Sequence, residues 1–306
     1  MLSLLCCLFL ADLPSEAEVK PVKVAEVSHY CEGVVVDPEG NLFFSNCDPG
    51  EIMKLTPDGK LSVWAKTKQP NGHKILPDGT HLVCDGPLHA VVRLDAAGKM
   101  LEPASRECAG KPLRGPNDLT LDLAHGGFYF TDPGGSHRGN PIGTVHYVDK
   151  LGQTHLVASG LAFPNGIVLR PDGKTLLVAE SQHNRILAYP VLSPGKVGPM
   201  RVFAQLPAKG EGQIANEPDG ICLDTEGNLF VAHFGMKQVQ VISPEGKVIR
   251  RYDGGNLLTS NVAFAGPNRD QLYITGGFGE KGGNKGGLFR LDLKGVKGQP
   301  VLPGIN

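Results

Sequence analysis

The sequence predicts an all-β chain, a six-bladed β-propeller closed by its own N-terminal strand. Three observations predict it. First, 41 Gly and 24 Pro are scattered through the 306 residues as punctuation, about one residue in five against roughly one in eight in average usage. Second, a strand–turn–strand unit returns six times, with starts 39, 46, 48, 54 and 41 residues apart. Third, the sixth unit lacks a clear fourth strand, while an orphan alternating strand at 22–27 stands ahead of the first.

The unit reads as an inner strand, a tight turn and a partner strand. The pairs are 32–37 with 42–46, 71–76 with 81–85, 117–122 with 128–132, 165–170 with 176–180, 219–224 with 228–233, and, more weakly, 260–265 with 271–275. The turns carry Pro-Glu-Gly, Pro-Asp-Gly or similar residues, which suit tight reversals. A second hairpin follows several units: 52–55 with 61–64, 91–95 with 100–101, and 239–242 with 248–251. Four antiparallel strands at this period make a propeller blade. The sixth unit supplies a third strand at 288–293, and strand 22–27 is read as its outer strand, with 299–302 as the competing candidate. Closure of this kind removes an exposed edge.

Charge and composition narrow the function. A net charge of −1 gives no nucleic-acid footprint. A hydrophobic content of 41% suits a globular core. Residues 2–11 form an apolar run too short to span a bilayer. The run suits a signal peptide, with Ser15 and Ala17 at the −3 and −1 positions, although no basic residue precedes it. The reading is a leader at 1–17 and one propeller domain at 18–306, secreted or periplasmic; without a leader, the protein is cytoplasmic. Of the seven Cys, five follow the leader and none forms a CxxC pair. An odd number leaves at least one free thiol.

Aligning the inner strands puts Glu32, Asn71, Asn117, Asn165, Asp219 and Ser260 at one height around a central channel. A second polar set, Asn46, Asp85, Asp132, Glu180 and His233, ends the neighbouring antiparallel strands. Two carboxylates among amide oxygens match one hard divalent cation, Ca²⁺ foremost, with Zn²⁺, Mn²⁺ or Mg²⁺ as other occupants. Glu32 is a poor turn residue, so turn chemistry alone does not account for the ring. His233 is read as a channel lining and a candidate substrate contact. Trp64 is read as blade packing, and Lys66, Lys68 and Lys74 as a solvated edge. Residues 277–282 match GxGxxG, but no helix can follow them, so they read as a loop in the sixth unit.

Three segments resemble a known family: Gly115-Pro116-Asn117-Asp118 with Phe130-Thr131-Asp132-Pro133, Phe163-Pro164-Asn165-Gly166 with its following Pro-Asp-Gly-Lys turn, and Pro218-Asp219-Gly220-Ile221. This is the senescence marker protein/regucalcin–gluconolactonase family of six-bladed propellers. The resemblance implies that Glu32, Asn165 and Asp219 ligate a catalytic divalent metal and that Asn117 contributes to metal or substrate binding. Some members carry an Arg two residues before that Asn. Here the position is Gly115, and Arg114, one step further away, is the candidate substrate contact. The implied activity is metal-dependent hydrolysis of a small-molecule sugar-acid lactone, with Asp219 also activating water. Two alternatives stand beside it: a phosphotriesterase-like propeller of the diisopropyl fluorophosphatase type, and a non-catalytic propeller that binds through its loops.

Overall fold

The computed structural model describes residues 13–278 and 285–300. The apolar run at 2–11, most of the Gly-rich tract at 277–282 and residues 301 and 302 lie outside the described residues. The chain is all-β, in the repeated antiparallel units of a β-propeller. Among the described residues the one helical turn is 3₁₀, Ser181–His183.

After β1 (Val22–Val27), the first unit is β2 (Cys31–Val36), β3 (Leu42–Asn46), β4 (Glu51–Leu55) and β5 (Leu61–Lys66), paired in that order. The second is β6 (Pro70–Ile75), β7 (His81–Asp85) and β8 (Ala90–Leu94), followed by a small ribbon, β9 (Glu107–Cys108) with β10 (Lys111–Pro112). The fourth strand expected at 100–101 is reduced to a single Leu94–Met100 bridge. Pro103 closes that stretch and has no N–H to donate to a ladder.

The third unit is β11 (Leu119–Asp122), β12 (Gly127–Asp132), β13 (Gly143–Val148) and β14 (Thr154–Leu161). In the fourth, β15 (Pro164–Leu169) and β16 (Thr175–Glu180) lead to β17 (Arg185–Ser193), which pairs with both β18 (Lys196–Val197) and β19 (Arg201–Gln205). The fifth is β20 (Glu217–Leu223), β21 (Leu229–Phe234), β22 (Gln238–Ile242) and β23 (Val248–Asp253). The last is β24 (Leu258–Ala265), β25 (Gln271–Phe278) and β26 (Lys285–Asp292), and β26 pairs antiparallel with β1, from Val22–Arg290 to Val27–Gly286. Gln299, part of the competing segment, instead donates its N–H to the Leu223 carbonyl of β20 at 3.0 Å.

The core lies between units rather than within them. Phe43 and Val35 pack with Val83 and Val92 of the second unit, and Leu82 and Cys84 with Leu119 and Phe130 of the third. The same layering returns to the start, where Ala263, Tyr273 and Leu288 of the last unit pack with Phe44 and Met53 of the first. β2 packs against β6 on one side and β24 on the other. Residues just before β1 are also held. The Pro14 carbonyl accepts from the Tyr252 hydroxyl at 2.7 Å, Glu16 accepts from the Arg251 N–H at 2.7 Å, and Val19 is buried against Phe230 and Tyr252. Part of the segment read as a leader is therefore docked on the fifth unit.

Candidate functional site

The inner strands bend where they open. Register shifts fall between Glu32 and Val34, Pro70 and His73, Pro164 and Ile167, Pro218 and Ile221, and Thr259 and Val262. Such bulges re-aim side chains. Glycine follows the ring residue in four units, at Gly33, Gly72, Gly166 and Gly220. A methyl group there would strike the next strand: Asn71 from Gly33, Asp118 from Gly72, Asp219 from Gly166 and Asn261 from Gly220. The units that lack this glycine place Asp118 and Asn261 in the space the glycines leave.

A buried acidic cluster results. Glu32, Asp118 and Asp219 are each at most 5% exposed. Asn261 Oδ1 accepts from the Val262 N–H at 2.9 Å, and its amide group lies close enough to Glu32 and Asp118 to favour their charged forms. Tyr30 donates to Glu32 Oε1 at 2.8 Å. Asn165 lies beside the Asp219 carboxyl and favours its charged form, yet its own Oδ1 is buried without a partner. Burial raises Glu32 and Asp219 above the usual carboxylate range; Asp118 adds like charge to both, and Glu32 adds it to Asp219. Burial raises Asp118 as well. Three carboxyls that cannot all ionise cheaply, next to an unsatisfied amide oxygen, make a place for positive charge.

Above the cluster lies a cleft of about 490 Å³, lined by Tyr30, Asn71, His89, Arg114, Asn117 and Phe163 among others. Asn117 is half-buried there, and Arg114 is exposed with its guanidinium on the Ile142 carbonyl. Phe163 holds φ at 61° directly before Pro164-Asn165. Bulky residues seldom adopt that conformation, and such strain gathers at functional sites.

The structure corrects several sequence expectations. Ser260 does not join the cluster: its hydroxyl donates to the Cys31 carbonyl at 2.6 Å, and the β24 bulge presents Asn261 instead. The second polar set largely clamps loops. Asp132 accepts the N–H groups of Arg114 and Gly115 at 2.9 and 2.6 Å, Asp85 those of Lys68 and Gln69, and Glu180 that of Ala162. His233 lines no channel. It is fully buried, its Nε2 is 2.9 Å from Asn184 Oδ1, Gln240 lies 3.2 Å from its Nδ1, and burial pushes its pKa down to about 4. Lys74 is no solvated edge either; it lines an internal cavity with Val35 and Thr120. Cys31, Cys47, Cys84, Cys108 and Cys222 are all free thiols.

The donor set constrains what cation could sit here. Among the described residues no three His, Cys, Asp and Glu side chains are gathered to hold a metal. A cation would therefore need amide oxygens, and the unpartnered Asn165 Oδ1 beside Asp219 is such a donor. Carboxylate and amide oxygens without His or Cys suit a hard ion. Tyr30, Asp118, Phe163 and Asn261 were missed from sequence. Asp118 could have been found, since it adjoins Asn117 in a motif already singled out.

The sequence matches the family described as "SMP-30/Gluconolactonase/LRE-like region" over residues 30–278. A lactonase, drp35, of Staphylococcus haemolyticus (strain JCSC1435) is 30% identical over 280 residues, covering 85% of this chain and 84% of the relative. A gluconolactonase of Zymomonas mobilis is 29% identical, with 83% and 78% covered. The diisopropyl-fluorophosphatase of Loligo vulgaris is 28% identical, with 73% and 78% covered. Among solved structures, a gluconolactonase of Xanthomonas campestris superposes with a TM-score of 0.75 at 24% identity, over 91% of each chain. With the family description matching residues 30–278 and a 30% identical relative covering 85% of its length, the chain belongs to the SMP-30/gluconolactonase/LRE-like family.

Proposed function

We propose that this protein is a cation-dependent hydrolase of sugar-acid lactones, built as a six-bladed ring closed by its N-terminal strand. One observation carries the chemistry: the buried Asp219 carboxyl feels the charge of buried Glu32 and stands beside an Asn165 amide oxygen that has no partner. The ring reading is supported by the apolar layer joining last and first units and by the pairing of β1 with β26.

Glu32, Asn165, Asp219 and Asn117 would hold the cation, Ca²⁺ by preference for an all-oxygen set. When bound, a divalent cation polarises the ester carbonyl and stabilises negative charge developing on its oxygen. Asp219 accepts a proton from water as the water oxygen attacks the carbonyl carbon. The ring C–O bond then breaks, and the proton passes to the departing alkoxide, leaving a hydroxy acid. Arg114 and Asn117, on the cleft wall, hydrogen-bond the sugar hydroxyls. Residues 2–11 support export to a secreted or periplasmic location.

The test is a rate screen of sugar-acid lactones and phosphotriesters, before and after chelation and with Ca²⁺, Mn²⁺, Zn²⁺ or Mg²⁺ restored. Chelator-sensitive lactone hydrolysis is the expected result. Turnover unaffected by chelation overturns the cation's role. Hydrolysis of phosphotriesters alone would favour the second reading, which rests on the 28% identity to the Loligo vulgaris enzyme.

A further inference from the structure

Three residues beyond each ring position lie Val35, Lys74, Thr120, Val168, Cys222 and Ala263. All six line one cavity of about 470 Å³, so every inner strand contributes to its wall. Its outer lip is formed by the turns at 123–125 and 171–173 and by Gln299 and Pro300. These turns follow β11 and β15, whereas Asn117 and Asn165 stand at the opening ends of the same inner chains. The cavity therefore opens away from the Arg114 cleft.

Its chemistry differs from that of the cleft. Ile167, Ile221, Val262 and Phe264 add to an apolar wall, while Asp122, His125, Arg170 and Asp172 line it toward the lip. There Asp122 pairs with His125, Asp172 accepts the Lys174 N–H, and Arg170 donates to the Gly227 carbonyl and stacks on Phe203. Lys74 is the one charged side chain of the six-residue layer. Among the described residues it makes no ion pair within 4.0 Å; the salt bridges all lie elsewhere. Asp118, whose carboxyl feels the Lys74 charge, packs against Gly72 in the acidic cluster and forms no ion pair with Lys74. Burial pushes the Cys222 thiol up, as a poorly hydrated wall would. An ammonium outside any ion pair, on the wall of a largely apolar chamber within the size range of small-molecule pockets, is complementary to an anionic head on an apolar tail.

We propose that this chamber is a second ligand site, for a small amphipathic monocarboxylate whose head meets Lys74 and whose tail lies along the Val35, Val168 and Ala263 wall. The site is separate from the lactone site and does not depend on how that one works.

The test is isothermal titration of the full chain with decanoate below its micelle concentration, alongside decyltrimethylammonium, which keeps the tail and inverts the charge. Decanoate should bind at one site per chain, at least tenfold more tightly than the cation. Equal affinities, or no decanoate binding, overturn the proposal without any variant. Lys74→Met keeps the stem and removes the charge, and should cost decanoate at least tenfold. Ala263→Trp fills the chamber and should abolish binding while Lys74 is intact. Undiminished binding in either folded variant places decanoate elsewhere and overturns the site.

Discussion

The N–H of Gly72 donates to the carbonyl of Asn117 at 2.8 Å, and a methyl group on Gly72 would stand 2.6 Å from the Asp118 Cα. Close approach of two strands, not an unusual φ, is what requires glycine here. Gly72→Ala should push the Asn117–Asp118 pair off its place. Overpacking of this kind costs about 1–3 kcal/mol. Thermal unfolding should show that loss, and lactone turnover should fall further than the folded fraction does. Parent-like stability and rate together would mean that the strands can part without consequence.

Acid should weaken the fold through its buried histidines. Burial holds His81, His146 and His233 down to about 4 against an ordinary 6.5, and it pushes His73 well down too. Below pH 6.5 the unfolded chain takes up protons that the folded one refuses. Stability from His81, His146 and His233 is therefore intact above pH 6.5, falls as pH drops, and levels off near pH 4. The slope is about 1.4 kcal/mol per pH unit for each group. The acidic cluster, raised rather than lowered, pulls the other way, so a comparison with a variant isolates the histidine. His146 stacks on Phe130 with ring centres 5.1 Å apart and contacts Thr144 Oγ1 at 2.8 Å. His146→Gln should flatten the acid limb by one such slope, read from denaturant midpoints between pH 4.5 and 6.5. An unchanged limb would mean that His146 titrates normally.

The strand β1 should be structurally required. It pairs with β26, and Val24, Ala25 and Val27 pack on the core beneath Leu288. Deleting residues 13–27 exposes the β26 ladder, a template for aggregation. Light scattering and thermal melts should show aggregation or a large drop in midpoint. A chain starting at Glu18 keeps β1 but loses the Pro14 and Glu16 contacts with Tyr252 and Arg251. It should fold, with a smaller loss. Parent-like melting of the longer deletion would show that β1 closes nothing.

The fold was legible because its signal is repeated. Gly-punctuated hairpins returned six times, and a repeat fixes period and strand roles even where one copy, such as 100–101, is wrong. Glu32, Asn165 and Asp219 were legible for the same reason: alignment puts them at one height. What alignment could not show is where a bulge turns the next side chain. Asn261 rather than Ser260 enters the cluster, and Asp118 enters beside Asn117, because strand distortion sets direction and spacing does not. Lys74 was misread through its neighbours in sequence, Lys66 and Lys68, which lie on or beside an outer strand while Lys74 lies on an inner one. His233 shares an aligned position with Asp132 and Glu180, and that position serves mainly to hold loops.

Glu32 and Asp219 should separate when their charges are removed one at a time. Glu32→Gln and Asp219→Asn each keep shape and an oxygen donor while removing one negative charge. The amide introduced by Glu32→Gln could still accept from Tyr30, which now meets Glu32 at 2.8 Å, so the local structure should survive. A neutral amide attracts a dication less than a carboxylate does, so Glu32→Gln should weaken cation affinity and recover part of its rate at high Ca²⁺. Asp219→Asn also loses the base, and excess cation should leave it slow. Loss of a general base costs roughly 10²–10⁴-fold in turnover. The measurement is lactone turnover against Ca²⁺, Mn²⁺ and Zn²⁺ concentration for the parent and both variants, with cation affinity measured separately by calorimetry. Full recovery of Asp219→Asn at high cation would make Asp219 a ligand only and move the base elsewhere, with the buried carboxyl of Asp118 the next to be replaced.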